Sequence, residues 1–186
     1  SHDPVDLSAL NPEKISLCRI YGAFQDSSAC SSDANLGISV IDSKLWPVEK
    51  LWKYYHDAAR LHDRRIFDYL MPPGDAALRS QIARLSLSGG MELSPDDIII
   101  TNGCHEALFL SLMSVCKPGD TVVFESPIYF SALHVIERLH LKVIEIPSAE
   151  SSGMNLDTLR FVLEEHPVKA VFSIPNYNNP LGFVMP

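Results

Sequence analysis

Strand-like and helix-like segments alternate without a break from residue 98 to residue 174 of this 186-residue chain. Short runs of β-branched and aromatic residues, such as Thr121–Phe124, predict strands, and the amphipathic segments between them predict helices. Strands joined by helical crossovers run parallel, because each crossover returns the chain to the same end of the sheet. The sequence therefore predicts an α/β fold with a mostly parallel sheet and helices on both of its faces.

Turn residues, helix caps and hydrophobic spacing define the predicted elements. Asp75 and Asn155 are predicted to cap helices, because their side chains can accept hydrogen bonds from first-turn amides. The predicted strands are residues 98–100, 121–124, 142–146 and 168–174. The predicted helices are residues 13–25, 48–61, 76–87, 104–115, 129–139 and 156–165.

The organisation of the chain suggests an unfinished domain. The alternation ends near Pro186 with fewer strands than such a sheet usually contains, so we expect the domain to be incomplete. We expect residues 1–45 to form an N-terminal helical arm or linker. Residues 46–186 are expected to form the N-terminal half of the α/β domain.

The bulk composition argues against several classes of protein. Although 46% of the residues are hydrophobic, no apolar run is long enough to span a membrane, and the N-terminus lacks the apolar core of a signal peptide. A formal net charge of −8 argues against nucleic-acid binding by this part of the protein itself. The 4 cysteines show no metal-binding or disulfide spacing, so we expect reduced thiols in a cytoplasmic protein.

The first candidate ligand-binding segment is Thr101–Leu108, where a predicted strand meets a predicted helix. Gly103 permits a tight turn, and its amide and those of Cys104 and His105 would point out of the helix N-terminus, a geometry that binds phosphate. Glu106 is expected to point sideways or cap the backbone. Alone, such a segment is more often an ordinary strand–helix turn, since one glycine is not a nucleotide-binding fingerprint.

Two further segments follow predicted strands. Glu125–Phe130 places Tyr129 at the carboxyl edge of the sheet, where its ring can stack on a planar ligand. The alternative is that Tyr129 and Phe130 simply open a core-facing helix. Asn178–Gly182 follows the last strand, and there the Asn179 amide can donate to a ligand oxygen, unless the segment is a plain polar turn. Together the three segments offer partners for a phosphate, a ring face and a ring substituent, as a phosphorylated aromatic aldehyde requires.

These motifs resemble those of the fold-type I, pyridoxal-phosphate-dependent aminotransferases of class I and II. The resemblance is closer still to the aminotransferase-like domain of MocR-type regulators, which belong to the GntR family of bacterial transcription factors. The segments that carry it are Pro73–Arg79, Ile100–Leu108, Lys117–Asp120, Glu125–Phe130 and Pro175–Gly182, the last of which contains an Asn-Pro-x-Gly signature.

The resemblance implies roles for individual residues. The amides that would hold the phosphate of pyridoxal phosphate belong to Gly103, Cys104 and His105. Tyr129 would stack on the pyridine ring, and Asn179 would bond the phenolic oxygen of the ring. Tyr69 would reach the phosphate of the neighbouring subunit in a homodimer. Gly37 resembles a glycine near the substrate carboxylate, although Ile41-Asp42-Ser43 departs from the family's Pro-Asp-Pro.

Three groups that the family uses for transamination lie beyond the Asn-Pro-x-Gly turn. They are a lysine that binds the cofactor covalently, an aspartate at the pyridine nitrogen and an arginine for the substrate carboxylate. The sequence ends four residues after Gly182, and none of Lys117, Lys142 and Lys169 is assigned as that lysine. We therefore expect no covalent cofactor and no catalysis from this chain alone, whereas the full-length protein would bind pyridoxal phosphate.

Three functional hypotheses follow. In the first, the chain is the effector domain of a regulator that senses an amino acid or amine and binds DNA through a winged-helix domain upstream of this chain. In the second, it is part of an amino-acid aminotransferase that uses the same groups together with a downstream lysine. In the third, the chain retains no binding function. The particular residues within the motifs, together with the N-terminal segment, favour the regulator.

Overall fold

The computed structural model describes residues 7, 10–14, 41–60, 67–149 and 151–186. The described residues fall into two compact units. One unit comprises residues 41–60 and 67–101, and the other comprises residues 7, 10–14, 102–149 and 151–186. The predicted division at residue 45 stays a prediction. Gly37 and the predicted helical residues 15–25 lie outside the described residues, as does Leu61 at the end of a predicted helix.

Among its described residues, the first unit has two α-helices, α1 (Val48–Arg60) and α2 (Ala76–Ser88). The Asp75 side chain accepts a hydrogen bond of 2.8 Å from Leu78 N, so it caps α2 as predicted. Arg79 extends from the first turn of α2, where its Nη1 donates to Pro95 O at 2.6 Å and pairs with Asp96 at 3.2 Å. This guanidinium therefore fastens the start of α2 to the turn that follows the helix.

A close contact between Gly74 and Ile100 joins two further segments of the same unit. Gly74 has a φ of +103°, and Ile100 N donates to the neighbouring Pro73 O at 2.9 Å. A Cβ atom built on Gly74 would lie 2.7 Å from Ile100 Cβ. Only glycine fits here, because both the backbone conformation and the close approach of Ile100 disfavour a side chain.

The sheet of the second unit is built around β2 (Thr121–Ser126). This strand pairs in parallel with β3 (Lys142–Ala149) on one side and with β5 (Val168–Phe172) on the other. Two short strands, β1 (Glu13–Lys14) and β4 (Gly153–Met154), pair antiparallel with β3. The predicted mostly parallel sheet is thereby confirmed.

Three helices of this unit are α3 (Cys104–Val115), α4 (Phe130–Arg138) and α5 (Leu156–Glu165). They agree with the predicted helices to within a residue at each end. The Asn155 side chain caps α5 by accepting a hydrogen bond of 3.0 Å from Thr158 N, as its sequence position predicted.

The core lies on both faces of the sheet because alternate residues of each strand point to opposite sides. One cluster of buried residues combines strand residues with α3 and α4: Leu112, Val122, Phe124, Ala132, Val135, Ile136, Leu141 and Val143. The other cluster includes Val162 of α5: Val123, Ile144, Ile146, Met154 and Val162. Helices therefore cover both faces, as expected for an α/β fold.

Two local predictions are wrong. Residues 98–100 form no strand, since in the described part of the chain Ile100 N bonds to Pro73 O and no neighbouring strand pairs with this segment. Glu13 and Lys14 are not helical, because they pair with Val143 and Lys142 at the start of β3. In both cases a partner distant in sequence decides the local conformation.

Candidate cofactor site

The N-terminus of α3 carries the turn that was predicted to hold a phosphate. Gly103 caps the helix with φ 96° and ψ 175°, a conformation that side chains disfavour. Cys104 and His105 follow in the first turn and are exposed. First-turn amides have no acceptor within their own helix, so this end of α3 offers hydrogen-bond donors and the positive pole of the helix dipole to an anion.

The one acidic residue in this turn is directed back at the loop. The Glu106 carboxylate accepts hydrogen bonds from Asn102 N and, at 3.1 Å, from Asn102 Nδ2. It thus caps the backbone ahead of the helix, one of the two arrangements the sequence predicted. A carboxylate engaged with the loop in this way satisfies two donors and leaves the first-turn amides to a ligand.

Tyr129 lies at the next helix N-terminus, after the end of β2. Tyr129 is the N-cap residue of α4 and is 37% exposed, and its ring lies 5.3 Å from the ring of Phe130, centroid to centroid. His105 Nε2 approaches Ser131 O, in the first turn of α4, at 2.9 Å. This contact brings the turn at Gly103 and the segment of Tyr129 together.

The third predicted segment forms a tight turn. Asn178 holds it together, because its backbone oxygen accepts from Gly182 N at 2.6 Å and its side-chain oxygen accepts from Leu181 N at 3.2 Å. Asn178 N in turn donates to Phe183 O at 3.0 Å. Asn179 is half-buried and joined to Pro180 by a cis peptide bond. Among the described residues, no hydrogen bond involves its side chain.

The far end of this turn packs on the sheet. Phe183 is buried, and Gly153 at the start of β4 adopts a φ of +71° beneath it. A Cβ atom on Gly153 would lie 2.5 Å from Met185 Cγ and 3.2 Å from Phe183 Cε2. The absence of a side chain at Gly153 thus lets the residues after the turn approach β4 closely.

A buried carboxyl group links the second and third segments. Glu125, near the end of β2, is only 2% exposed. It accepts hydrogen bonds from Ser173 Oγ at 2.6 Å, from Ile174 N at 3.1 Å and from Asn178 Nδ2 at 2.7 Å. Neither Glu125 nor Asn178 was assigned a role from the sequence. The available signal was an acidic residue at the end of a strand that is otherwise apolar from Val122 to Phe124.

The predicted site residues thus separate into two groups. Five of them lie in the sheet unit, on segments that hydrogen bonds connect: Gly103, Cys104, His105, Tyr129 and Asn179. Tyr69 belongs to the other unit, where its side chain is 99% exposed.

The lysines of the sheet unit lie at the opposite end of the strands from these segments. Lys142 is the first residue of β3, and Lys14 pairs with it. Lys169 is near the start of β5, and Lys117 precedes β2. Tyr129 and Asn179 instead follow the carboxyl ends of β2 and β5, and a strand of this length spans about 17 Å. The lysines at the amino ends of the strands therefore lie far from Tyr129 and Asn179 at the carboxyl ends.

The Cys116 thiol lies outside the candidate cofactor site. Burial raises the pKa of the Cys116 thiol, Asp120 raises it further and Lys169 lowers it in part. Among the described residues, no cluster of histidine, cysteine and acidic side chains is arranged to hold a metal ion. In the same residues, no helix is long and apolar enough to cross a membrane.

Known proteins similar to this chain include regulators and enzymes. YjiR and YdcR, two HTH-type transcriptional regulators of Escherichia coli, are 40% identical over 156 residues and 39% identical over 144 residues. These matches cover 84% and 77% of this chain but only 33% and 31% of the regulators, so the chain spans about a third of their length.

A solved structure extends the comparison. Kynurenine aminotransferase of Pyrococcus horikoshii, in complex with PMP and with kynurenine as substrate, is 27% identical and superimposes with a TM-score of 0.75. The match covers 93% of this chain and 43% of that enzyme. The family described as aminotransferase class I and II matches residues 33–186. With most of its length matched, the protein belongs to the aminotransferase class I and II family.

Proposed function

We propose that this chain is the pyridoxal-phosphate-binding, aminotransferase-like effector domain of a GntR-family, MocR-type transcriptional regulator. The observation that carries the proposal is the identity of about two residues in five with YjiR and YdcR, both HTH-type regulators. Because this chain spans about a third of each, DNA binding would reside in an upstream winged-helix domain. The net charge of −8 supports this division, since an acidic domain repels the phosphates of DNA.

The residues of the sheet unit fit the parts of pyridoxal phosphate. The first-turn amides of Cys104 and His105, with Gly103 ahead of them, would hold the phosphate. The ring of Tyr129, an exposed residue, would stack on the pyridine ring. Asn179, whose amide has no hydrogen bond within the described residues, would donate to the phenolic oxygen. Tyr69 would reach the phosphate of the partner subunit in a homodimer.

Bound pyridoxal phosphate supplies an electron sink for reactions of amines and amino acids. The residues of this chain would bind and orient it without a covalent link. In support, the lysines of the sheet unit, Lys14, Lys117, Lys142 and Lys169, lie near the amino ends of the strands. In the cytoplasm, an amino acid or amine that reacts with the cofactor would favour one conformation of the regulator over another.

Cofactor binding by the full-length protein tests the site. Asn179→Ala and Tyr129→Ala are each expected to weaken pyridoxal phosphate binding roughly tenfold, as measured by equilibrium dialysis, because each removes one direct contact. Asn176→Ala is the matched control, since Asn176 is exposed and lies three residues before Asn179. Equal affinities in all three variants would refute the assigned site.

A second experiment tests the regulatory function. The full-length protein is expected to shift the mobility of DNA from its own promoter region, and a panel of amino acids and amines should contain one that changes this binding. The change should require pyridoxal phosphate. A protein that binds this DNA identically with and without cofactor and with every amine would not be an effector-controlled regulator of the proposed kind.

The alternative is part of a pyridoxal-phosphate-dependent amino-acid aminotransferase. The observation that favours it is the likeness to the kynurenine aminotransferase of Pyrococcus horikoshii. Transfer of an amino group between amino acids and keto acids by the full-length protein, without specific DNA binding, would support this alternative. DNA binding that depends on an amine would support the regulator.

A further inference from the structure

The sheet unit buries one carboxyl group whose role the proposed cofactor contacts do not explain. Glu125 follows Val122, Val123 and Phe124, which are completely buried, and is itself 2% exposed. Burying a carboxyl group is unfavourable unless hydrogen bonds replace its hydration. Among the described residues, no lysine, arginine or histidine forms an ion pair with it. Within the described residues, it accepts hydrogen bonds from Ser173, Ile174 and Asn178.

The register of the sheet explains how these donors reach the carboxyl group. Phe124 of β2 pairs with Phe172 of β5, and their rings lie 4.9 Å apart, centroid to centroid. The next residues, Glu125 within β2 and Ser173 just after β5, therefore lie side by side. The rigid sheet places the carboxyl group beneath the chain that leads from β5 to the turn at Asn178.

Asn178 connects this buried group to Asn179. Its side-chain nitrogen donates to Glu125, and its side-chain oxygen accepts from Leu181 N. Its backbone nitrogen and oxygen bond to Phe183 and Gly182. Four hydrogen bonds therefore fix Asn178 in orientation, and the adjacent Asn179 inherits a fixed backbone direction.

We propose that Glu125 is a positioning residue that, acting through Asn178, sets the direction of the Asn179 amide toward the phenolic oxygen of pyridoxal phosphate. The inference rests on the proposed function, because it assumes that Asn179 contacts the cofactor. A glutamate suits this role since both of its oxygens accept, and it serves three donors at once. A glutamine would keep the shape of the side chain but turn one of the two acceptors into a donor.

The readout is the pH midpoint of the visible absorption of pyridoxal phosphate bound to the full-length protein. A donor at the phenolic oxygen favours its ionised form, so loss of that donor raises the midpoint. Asn179→Ala is expected to raise it by about one pH unit, as for loss of a hydrogen bond to a charged group. Glu125→Gln is expected to raise it in the same direction by about half a unit, since an amide oxygen accepts the Asn178 bond more weakly than a carboxylate oxygen and holds the turn less firmly.

Glu145→Gln is the matched control. Glu145 lies on the adjacent strand, opposite Phe124, and its carboxylate accepts from Ser126 Oγ at 2.7 Å. Unlike Glu125 it is exposed, and it makes no hydrogen bond to the turn at Asn178 among the described residues. We expect it to leave the midpoint unchanged. A shift as large as that of Glu125→Gln would overturn the proposal, because any loss of charge near the site would then suffice.

A double-mutant cycle tests the route through Asn178. Asn178→Ala should raise the midpoint about as much as Glu125→Gln, and combining the two should add nothing further. If Glu125→Gln does not fold, Ser173→Ala removes one donor from the same carboxyl group and is expected to give a smaller shift of the same sign. Additive shifts, or folded variants with an unchanged midpoint, would overturn the positioning role.

Asn179→Ala separates a failure of the positioning role from a failure of the proposed site. If this variant leaves the midpoint unchanged, Asn179 does not contact the phenolic oxygen and the proposed site itself is wrong. If Asn179→Ala shifts the midpoint while Glu125→Gln and Asn178→Ala do not, the site stands and only the positioning role is refuted.

Discussion

Glu125 Oε2 lies 2.7 Å from Asn178 Nδ2, across a separation of 53 residues in the chain. Both residues are buried, so water cannot take the place of either hydrogen-bond partner. Losing one partner of such a bond leaves a buried polar atom unsatisfied, which costs more than the bond itself contributes. The pair therefore stabilises the sheet unit as well as orienting the turn.

We expect Asn178→Ala to lower the free energy of unfolding by about 1–3 kcal/mol, because it leaves Glu125 without one donor and Leu181 N without its acceptor. Urea denaturation measures the change. Asn176→Ala, an exposed asparagine two residues earlier, should stay within about 0.5 kcal/mol of the wild type. Equal losses in both variants would contradict the importance of the buried pair.

A second prediction concerns Gly74. Gly74→Ala would place a Cβ atom 2.7 Å from Ile100 Cβ in addition to straining a φ of +103°. Gly90→Ala is the matched control, since Gly90 has a φ of +79° and no atom lies within 4 Å of the position that its Cβ would occupy. The left-handed conformation alone costs about 1–2 kcal/mol, so we expect Gly74→Ala to lower the unfolding free energy clearly more than Gly90→Ala. Similar melting temperatures for the two variants would argue against the close contact.

A third prediction concerns Gly103, in the turn that is proposed to hold the phosphate. Gly103→Ala forces a side chain into φ 96°, ψ 175°, so we expect the turn to rearrange and the affinity for pyridoxal phosphate to fall roughly tenfold. Gly119→Ala imposes a comparable φ of +92°, but in the turn ahead of β2. It should lower stability without weakening binding in fluorescence titrations. Equal affinities would show that Gly103 does not shape the phosphate site.

A fourth prediction uses the chemistry of cysteine. Cys104 is exposed in the first turn of α3, and we expect bound pyridoxal phosphate to slow its alkylation by iodoacetamide severalfold. Cys116 is the internal control. Its raised pKa keeps the thiol protonated to higher pH, and the thiolate is the reactive form, so it should react slowly with or without ligand. Peptide mass spectrometry reports both sites, and unprotected Cys104 would place the phosphate elsewhere.

Local sequence patterns predicted the regular elements well. The helix at residues 104–115 agrees with α3 at both ends, because its hydrophobic spacing, the preceding glycine and the turn at Lys117 all act within a few residues. The caps at Asp75 and Asn155 form as predicted for the same reason. Such signals depend on the chain immediately around them.

Long-range partners account for what the sequence did not reveal. The apolar residues 98–100 have the composition of a strand, yet no pairing neighbour lies beside them in the described part of the chain. Glu13 and Lys14 acquire strand geometry only because the start of β3 is available to them. The contact between Glu125 and Asn178 likewise joins two segments whose proximity follows from the parallel pairing of β2 with β5.

The turn from Asn178 to Gly182 is fastened at both of its ends. Glu125 holds it from the β2 side, and Phe183 and Met185 pack on Gly153 beyond it. If Asn179 binds the cofactor as proposed, a turn fixed at both ends would move together with the sheet and not as a separate loop. Ligand binding would then displace β2 and β4 together, so the response of this domain would be a small movement of the whole sheet and not the opening of a loop.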